Sequence, residues 1–96
     1  MEQPGVRPGA VVRSLAGRDQ GTNYIVLRYV DERRVTVVDG RQRSVDRPKF
    51  KNRRHLEVLG WVDANLALRL ERGDRVSDMD VMKALEAWPS RVKEEV

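Results

Sequence analysis

Residues 9–21 of this chain are Gly9-Ala10-Val11-Val12-Arg13-Ser14-Leu15-Ala16-Gly17-Arg18-Asp19-Gln20-Gly21. The first half of this segment is rich in β-branched residues, which predicts a strand over residues 10–15. Two glycines in the next six residues indicate backbone that turns tightly. Residues 22–30 follow at once and are dense in β-branched and aromatic side chains, so they predict a second strand. The segment is therefore a strand, a compact loop and another strand.

Later residues extend the β pattern. Residues 35–38 are a valine-rich run that predicts a third strand. Asp39-Gly40 is a two-residue hairpin signal, so residues 41–45 are expected to form a fourth strand and residues 54–58 a short fifth. Five short strands suggest a small barrel. The pattern leaves open which member of two apolar pairs faces the core: Val11 or Val12, and Ile25 or Val26.

The final third of the chain changes to a helical period. Good helix formers over residues 63–72 predict one helix, with Gly73 as its C-cap. Ser77 and Asp80 form a capping-box-like pair that starts a second helix, and Pro89 is expected to end it. The second helix carries an apolar stripe at i, i+3, i+4 and i+7, formed by Val81, Ala84, Leu85 and Trp88.

These elements fit one domain of 96 residues. We expect a flexible N-terminus over residues 1–8, a five-stranded barrel over residues 9–58, and a helical hairpin over residues 59–96. The hairpin is too small to fold alone and should pack on the barrel. The predicted fold class is mostly β with an α tail.

The positive charge is concentrated in one place. The net charge is +4, but residues 41–54, called the basic stretch below, carry seven basic side chains and one acidic side chain. Such a cluster on a small domain is typical of a polyanion binder, although a solvated loop gives the same composition. Alternate basic positions would project to one side of any extended portion. The basic side chains are Arg41, Arg43, Arg47, Lys49, Lys51, Arg53 and Arg54.

Residues 9–21 resemble the KOW motif of ribosomal proteins and of NusG/Spt5-type elongation factors. The resemblance covers roughly residues 5–58, and it is closest to bacterial KOW-domain RNA-binding proteins related to large-subunit ribosomal proteins of eukaryotes and archaea. It implies an SH3-like barrel whose motif loop contacts RNA, most plausibly ribosomal RNA. Carried over residue by residue, Gly17, Arg18 and Gly21 match the RNA-facing turn, and Arg13 ends the first strand. Asp19 and Gln20 depart from the pattern, because relatives often have a second basic residue there.

Other functional classes find little support in the sequence. His55 is the single histidine and there is no cysteine, so no metal-ligand set is evident. No nucleophile–base pair, phosphate-binding loop or dinucleotide fingerprint occurs, so we expect neither enzymatic activity nor a cofactor nor a small-molecule substrate. No apolar run is long enough to span a bilayer, and the start of the chain lacks signal-peptide features, so we expect a cytoplasmic protein without membrane contacts.

Two alternatives stay open. SH3-like barrels also serve as protein–protein modules, and the acidic helical tail could meet a protein partner. A helix-turn-helix DNA binder is disfavoured, because acidic residues on the second helix would meet phosphate repulsion in a major groove. The glycines of the motif are explained either by turn geometry or by direct RNA contact. Phe50, Tyr24 and Tyr29 could stack on unpaired bases or belong to the core.

Overall fold

The structure is a computed structural model that describes the backbone of residues 5–93 and the side chains of residues 5–88. It contains five strands: β1 (Ala10–Ser14), β2 (Asn23–Tyr29), β3 (Arg34–Val38), β4 (Lys49–Asn52) and β5 (Leu56–Trp61). A 3-10 turn, Arg53–His55, joins β4 to β5. Two helices follow: α1 (Ala64–Arg72) and α2 (Asp78–Lys93).

The strands form one antiparallel sheet in the order β4-β3-β2-β1-β5. The prediction of a mostly β chain with an α tail is confirmed. The predicted barrel is not closed, because within residues 5–93 the edge strands β4 and β5 share no ladder and are joined by the 3-10 turn instead.

Both faces of the sheet are buried, which explains why the sequence pattern left two apolar pairs undecided. Val12 and Val26 belong to a cluster on one face, which also contains Val6. Val11 and Ile25 belong to a cluster on the opposite face, where both helices pack. Because Val6 is fully buried, the folded unit includes part of the segment expected to be flexible. Residues 1–4 lie outside the described part of the chain.

Local hydrogen bonds and backbone geometry fix both ends of α1 and the start of α2. The Asp63 carboxylate accepts from the Leu66 amide at 2.8 Å, and α1 ends at Gly73 with a φ of +79°. Ser77 and Asp80 form the predicted capping box, since each backbone amide donates to the other side chain at 3.0–3.1 Å. The expected C-cap and capping box are therefore confirmed.

The apolar stripe of α2 packs against the sheet. Ala84, Leu85 and Trp88 lie against the cluster that contains buried Val81. Gly60 of β5 provides the space for the Trp88 indole, because a Cβ at that position would overlap the ring. The helices are therefore joined to the sheet by side-chain packing.

Three predicted element positions are wrong. The fifth strand is Leu56–Trp61 and not residues 54–58, because residues 53–55 form the 3-10 turn, and the fourth strand is Lys49–Asn52. Residues 41–45 form a loop, because the Asp39 carboxylate accepts the amides of Arg41 and Arg43 at 2.9 Å and takes donors that a hairpin ladder would need. Pro89 does not end α2, which continues to Lys93. A proline removes one intrahelical hydrogen bond, and the neighbouring turns can carry the helix past it.

Candidate nucleic-acid interface

The motif loop, residues 15–22, joins β1 to β2 in a tight turn. Gly17 and Gly21 have φ angles of +88° and +92°, which L side chains rarely adopt. The Gly21 amide donates to the Ser14 carbonyl at 2.8 Å and closes the base of the loop. Turn geometry therefore accounts for both glycines. Arg18 is exposed. A Cβ added to Gly21 would have no described atom within 4 Å other than those of its chain neighbours.

Asp19 ties the motif loop to the sheet. Its Oδ2 accepts the Tyr24 hydroxyl at 2.6 Å and lies 3.0 Å from Lys49 Nζ. Its Oδ1 lies 2.9 Å from Ser14 Oγ and 3.2 Å from Lys51 Nζ. The side chains of Asp19 and Lys51 are 13% and 8% exposed. One loop carboxylate therefore pairs with two lysines of the basic stretch and offsets one of their two positive charges.

The same contacts set the ionisation of the cluster. Burial alone raises the pKa of Asp19, but hydrogen bonds from Tyr24, Lys49, Ser14 and Lys51 together outweigh it and hold the pKa well below its ordinary value of 3.8. Burial, followed by the hydrogen bond and charge of Asp19, raises the pKa of Tyr24. The carboxylate is therefore ionised and the phenol neutral near neutral pH.

The structure divides the basic stretch instead of presenting it on one side. Its extended part is β4, whose lysines point towards Asp19. Arg41 lies at the other end of the stretch and pairs with Glu86 of α2 at 3.3 Å. Two further arginines are exposed in the same loop as Arg41: Arg43 and Arg47. In the extended part, Lys49 and Lys51 do project to one side, but the arginines of the basic stretch lie outside β4 and do not continue this array.

The last part of the basic stretch, the 3-10 turn, lies between two other segments. The Arg53 amide donates to the Arg33 carbonyl at 2.7 Å, and the Leu15 amide donates to the His55 carbonyl at 2.9 Å. One side of the turn is thus joined to the β2–β3 turn (residues 30–33), and the other side to the motif loop. Arg54 is exposed between these two attachments.

These three segments form what we call the composite surface. It consists of the motif loop, the 3-10 turn, and the β2–β3 turn with the adjoining Arg34. Four of its arginines are exposed: Arg18, Arg33, Arg34 and Arg54. Asp31 lies within the surface, but its carboxylate accepts the amides of Arg33 and Arg34 and pairs with the Arg34 guanidinium at 3.0 Å. Of the predicted site residues, Gly17, Arg18, Gly21, Arg53 and Arg54 belong to this surface.

Arg33 and Arg34 are candidate site residues that the sequence argument missed. In the sequence they follow Asp31 and Glu32, so the segment has no local charge excess. The sequence did contain one signal for them: an aromatic residue, Tyr29, stands directly before this arginine-containing turn. Exposed aromatic and arginine side chains side by side are typical of surfaces that bind nucleic acids.

Arg13 belongs to β1 and to none of the three segments of the composite surface. It stands opposite Glu57 in the β1–β5 ladder and forms an ion pair with it. Its charge is therefore partly compensated by a cross-strand partner.

Within residues 5–93, no three His, Cys, Asp or Glu side chains are grouped to hold a metal ion. In the same part of the chain, neither helix has the length and apolar character needed to cross a membrane.

No protein-family model matches the chain, and no curated protein matches it either. The KOW resemblance therefore rests on the residues quoted for it.

Proposed function

We propose that this chain binds structured RNA through the composite surface, as a ribosome-associated factor in the cytoplasm that contacts large-subunit ribosomal RNA. The observation that carries the proposal is the position of the 3-10 turn. Backbone hydrogen bonds join it to the motif loop on one side and to the β2–β3 turn on the other. Three segments that carry exposed arginines are therefore held next to one another.

The chemistry of this surface suits a phosphate backbone. Guanidinium groups make bidentate, charge-assisted hydrogen bonds to phosphate oxygens. The uncovered backbone at Gly21 lets the main chain approach a ligand closely. Contacts of this kind position a protein on RNA without selecting a sequence. Recognition of RNA shape follows from the arrangement of the three segments.

The arrangement of the strands also supports membership of the SH3-like KOW class. A five-stranded antiparallel sheet in the order β4-β3-β2-β1-β5 has the strand number that the motif resemblance implies. The motif loop connects β1 to β2, which is its place in the strand-loop-strand motif. The proposal does not require a closed barrel, because the three segments of the composite surface are connections between strands.

The test compares two charge-matched double variants in a binding titration with a labelled ribosomal RNA hairpin. Arg18→Gln with Arg54→Gln removes two charges from the composite surface, and Arg43→Gln with Arg47→Gln removes two from the loop beside α2. We expect a clear loss of affinity for the first variant and little change for the second. On a duplex target, each lost phosphate contact should flatten the plot of log affinity against log salt by about 0.9.

A second experiment addresses the ribosomal assignment. Sedimentation of cell extract at low salt should place the wild-type protein with large-subunit or precursor particles, and the first double variant should leave those fractions. Equal losses for both variants in the titration would mean that the composite surface is not the interface. Absence of RNA binding by the wild type would refute the proposal and leave a protein–protein interaction module of the SH3-like type as the alternative.

A further inference from the structure

Two aromatic side chains remain exposed beside the arginines of the composite surface. Tyr29 and Phe50 are each 55% exposed, whereas Tyr24 is 3% exposed and belongs to the core. The Arg53 guanidinium lies 5.9 Å from the Tyr29 ring centre, and the Arg34 guanidinium lies 5.8 Å from that of Phe50. Each exposed ring therefore has a cationic group over it.

Strand pairing fixes the position of both rings. Tyr29 stands opposite Val35, and Phe50 stands opposite Thr36. Because Val35 and Thr36 are successive residues of β3, the two rings point to opposite faces of the same corner of the sheet. Their backbones are held in ladders, so the rings are presented by a rigid support and not by a mobile loop.

The charge of this corner suits the flanking phosphates of a nucleotide. Arg28, Arg33 and Arg34 lie within five positions of Tyr29 in the sequence and are exposed. The Arg53 guanidinium is held near Tyr29 by its hydrogen bond to the Glu32 carbonyl at 3.0 Å. Aromatic rings next to arginines bind unpaired bases by stacking, while the arginines contact the backbone. A regular duplex offers no such base, because its bases are stacked on each other inside the helix.

We infer that Tyr29 and Phe50 are stacking sites for unpaired nucleobases, so that the preferred ligand is RNA with a loop or bulge and not a continuous duplex. This inference rests on the proposed function and defines the class of RNA that the composite surface takes. Arg34 lies over the Phe50 ring and Arg53 over the Tyr29 ring. An unpaired base would stack on each ring beside the guanidinium group, and the phosphates that flank the base would contact the exposed arginines.

The experiment titrates two RNAs of equal length with the full chain: a hairpin with an unpaired loop and a blunt duplex. The variants are Tyr29→Ala, Phe50→Ala and the conservative Tyr29→Phe, with Leu68→Ala of α1 as a control that is also exposed, at 51%. We expect each alanine variant of the aromatic residues to lose about tenfold or more in affinity for the hairpin. Duplex affinity and the salt dependence should stay unchanged, since no phosphate contact is removed. Tyr29→Phe should bind like the wild type.

Each other result has a definite meaning. Equal wild-type affinity for hairpin and duplex, with no effect of either alanine variant, would overturn this inference and leave the proposed function standing. A wild type that binds neither RNA would overturn both. Thermal melting of each variant shows whether it is folded, and a loss of affinity in Tyr29→Ala that Tyr29→Phe does not restore in a folded protein would also contradict stacking.

Discussion

The ammonium group of Lys51 lies 3.2 Å from the carboxylate of Asp19, and both side chains are largely buried. Asp19 is one of the two residues of the motif loop that depart from the KOW pattern, together with Gln20. Its carboxylate joins the loop to β4 and holds the ammonium groups of both Lys49 and Lys51, offsetting one of their two positive charges. Asp19 thus has a structural role. Because it engages the lysines of β4, the candidate interface is the composite surface and not β4.

Replacing Asp19 with asparagine should destabilise the fold. The amide would leave the buried Lys51 ammonium without its counter-charge, and breaking a buried ion pair in this way costs about 3 kcal/mol. Asp74→Asn serves as a control, because it breaks the exposed pair with Arg72, which is worth less than about 1 kcal/mol. Urea denaturation measures both variants. Equal, small losses would show that Asp19 does not hold the loop.

The same carboxylate should make stability depend on acid. Because the pKa of Asp19 is lower in the folded protein than its ordinary value of 3.8, its contribution is present above that value and is lost as the pH falls towards the folded pKa. Between about pH 5 and about pH 2, the free energy of unfolding should therefore fall more steeply in the wild type than in Asp19→Asn. Parallel pH profiles for the two proteins would contradict this assignment.

The effects of substitutions at Trp88 and Gly60 on stability should be coupled, because the Trp88 indole occupies the space beside Gly60. Trp88→Ala removes the ring that packs on β5 and should cost about 3 kcal/mol. Gly60→Ala places a Cβ where the indole lies and should also destabilise the wild type. In the Trp88→Ala background the same glycine substitution should cost much less, since the space is then empty. Met79→Ala, at an exposed position of α2, is the control for helix propensity. Additive costs in thermal unfolding would rule out the contact.

Gly21→Ala separates turn geometry from crowding. The added Cβ would meet no described atom within 4 Å, yet the φ of +92° is unfavourable for an L side chain. We expect a loss of about 1 kcal/mol in urea denaturation from backbone strain alone. Gly17→Val would carry the same strain, so a loss of RNA binding by that variant is not by itself evidence for contact. An unchanged stability for Gly21→Ala would show that the loop accommodates the side chain by shifting.

Elements set by local chemistry could be predicted from the sequence. The capping box of Ser77 and Asp80, the C-cap at Gly73 and the motif loop with Gly17 and Gly21 all follow from preferences of a few adjacent residues. Such preferences act between neighbours in the chain, so the sequence contains them completely. The strand-loop-strand pattern of residues 9–21 and the apolar stripe of α2 belong to the same class.

The use of the charged residues was decided by the tertiary structure. The sequence determined that residues 41–54 are basic, but it did not determine that Lys51 faces Asp19, that Arg41 pairs with Glu86, or that Arg53 meets Arg33. These contacts join residues that lie 20 or more positions apart in the chain. The contacts of Lys51 and Arg53 depend on the register of β4 against β3, and the contact of Arg41 depends on the position of α2. A charge count along the chain contains neither. The partner of a long charged side chain depends on which segments the fold brings next to it. The candidate interface could therefore be identified only in the folded molecule.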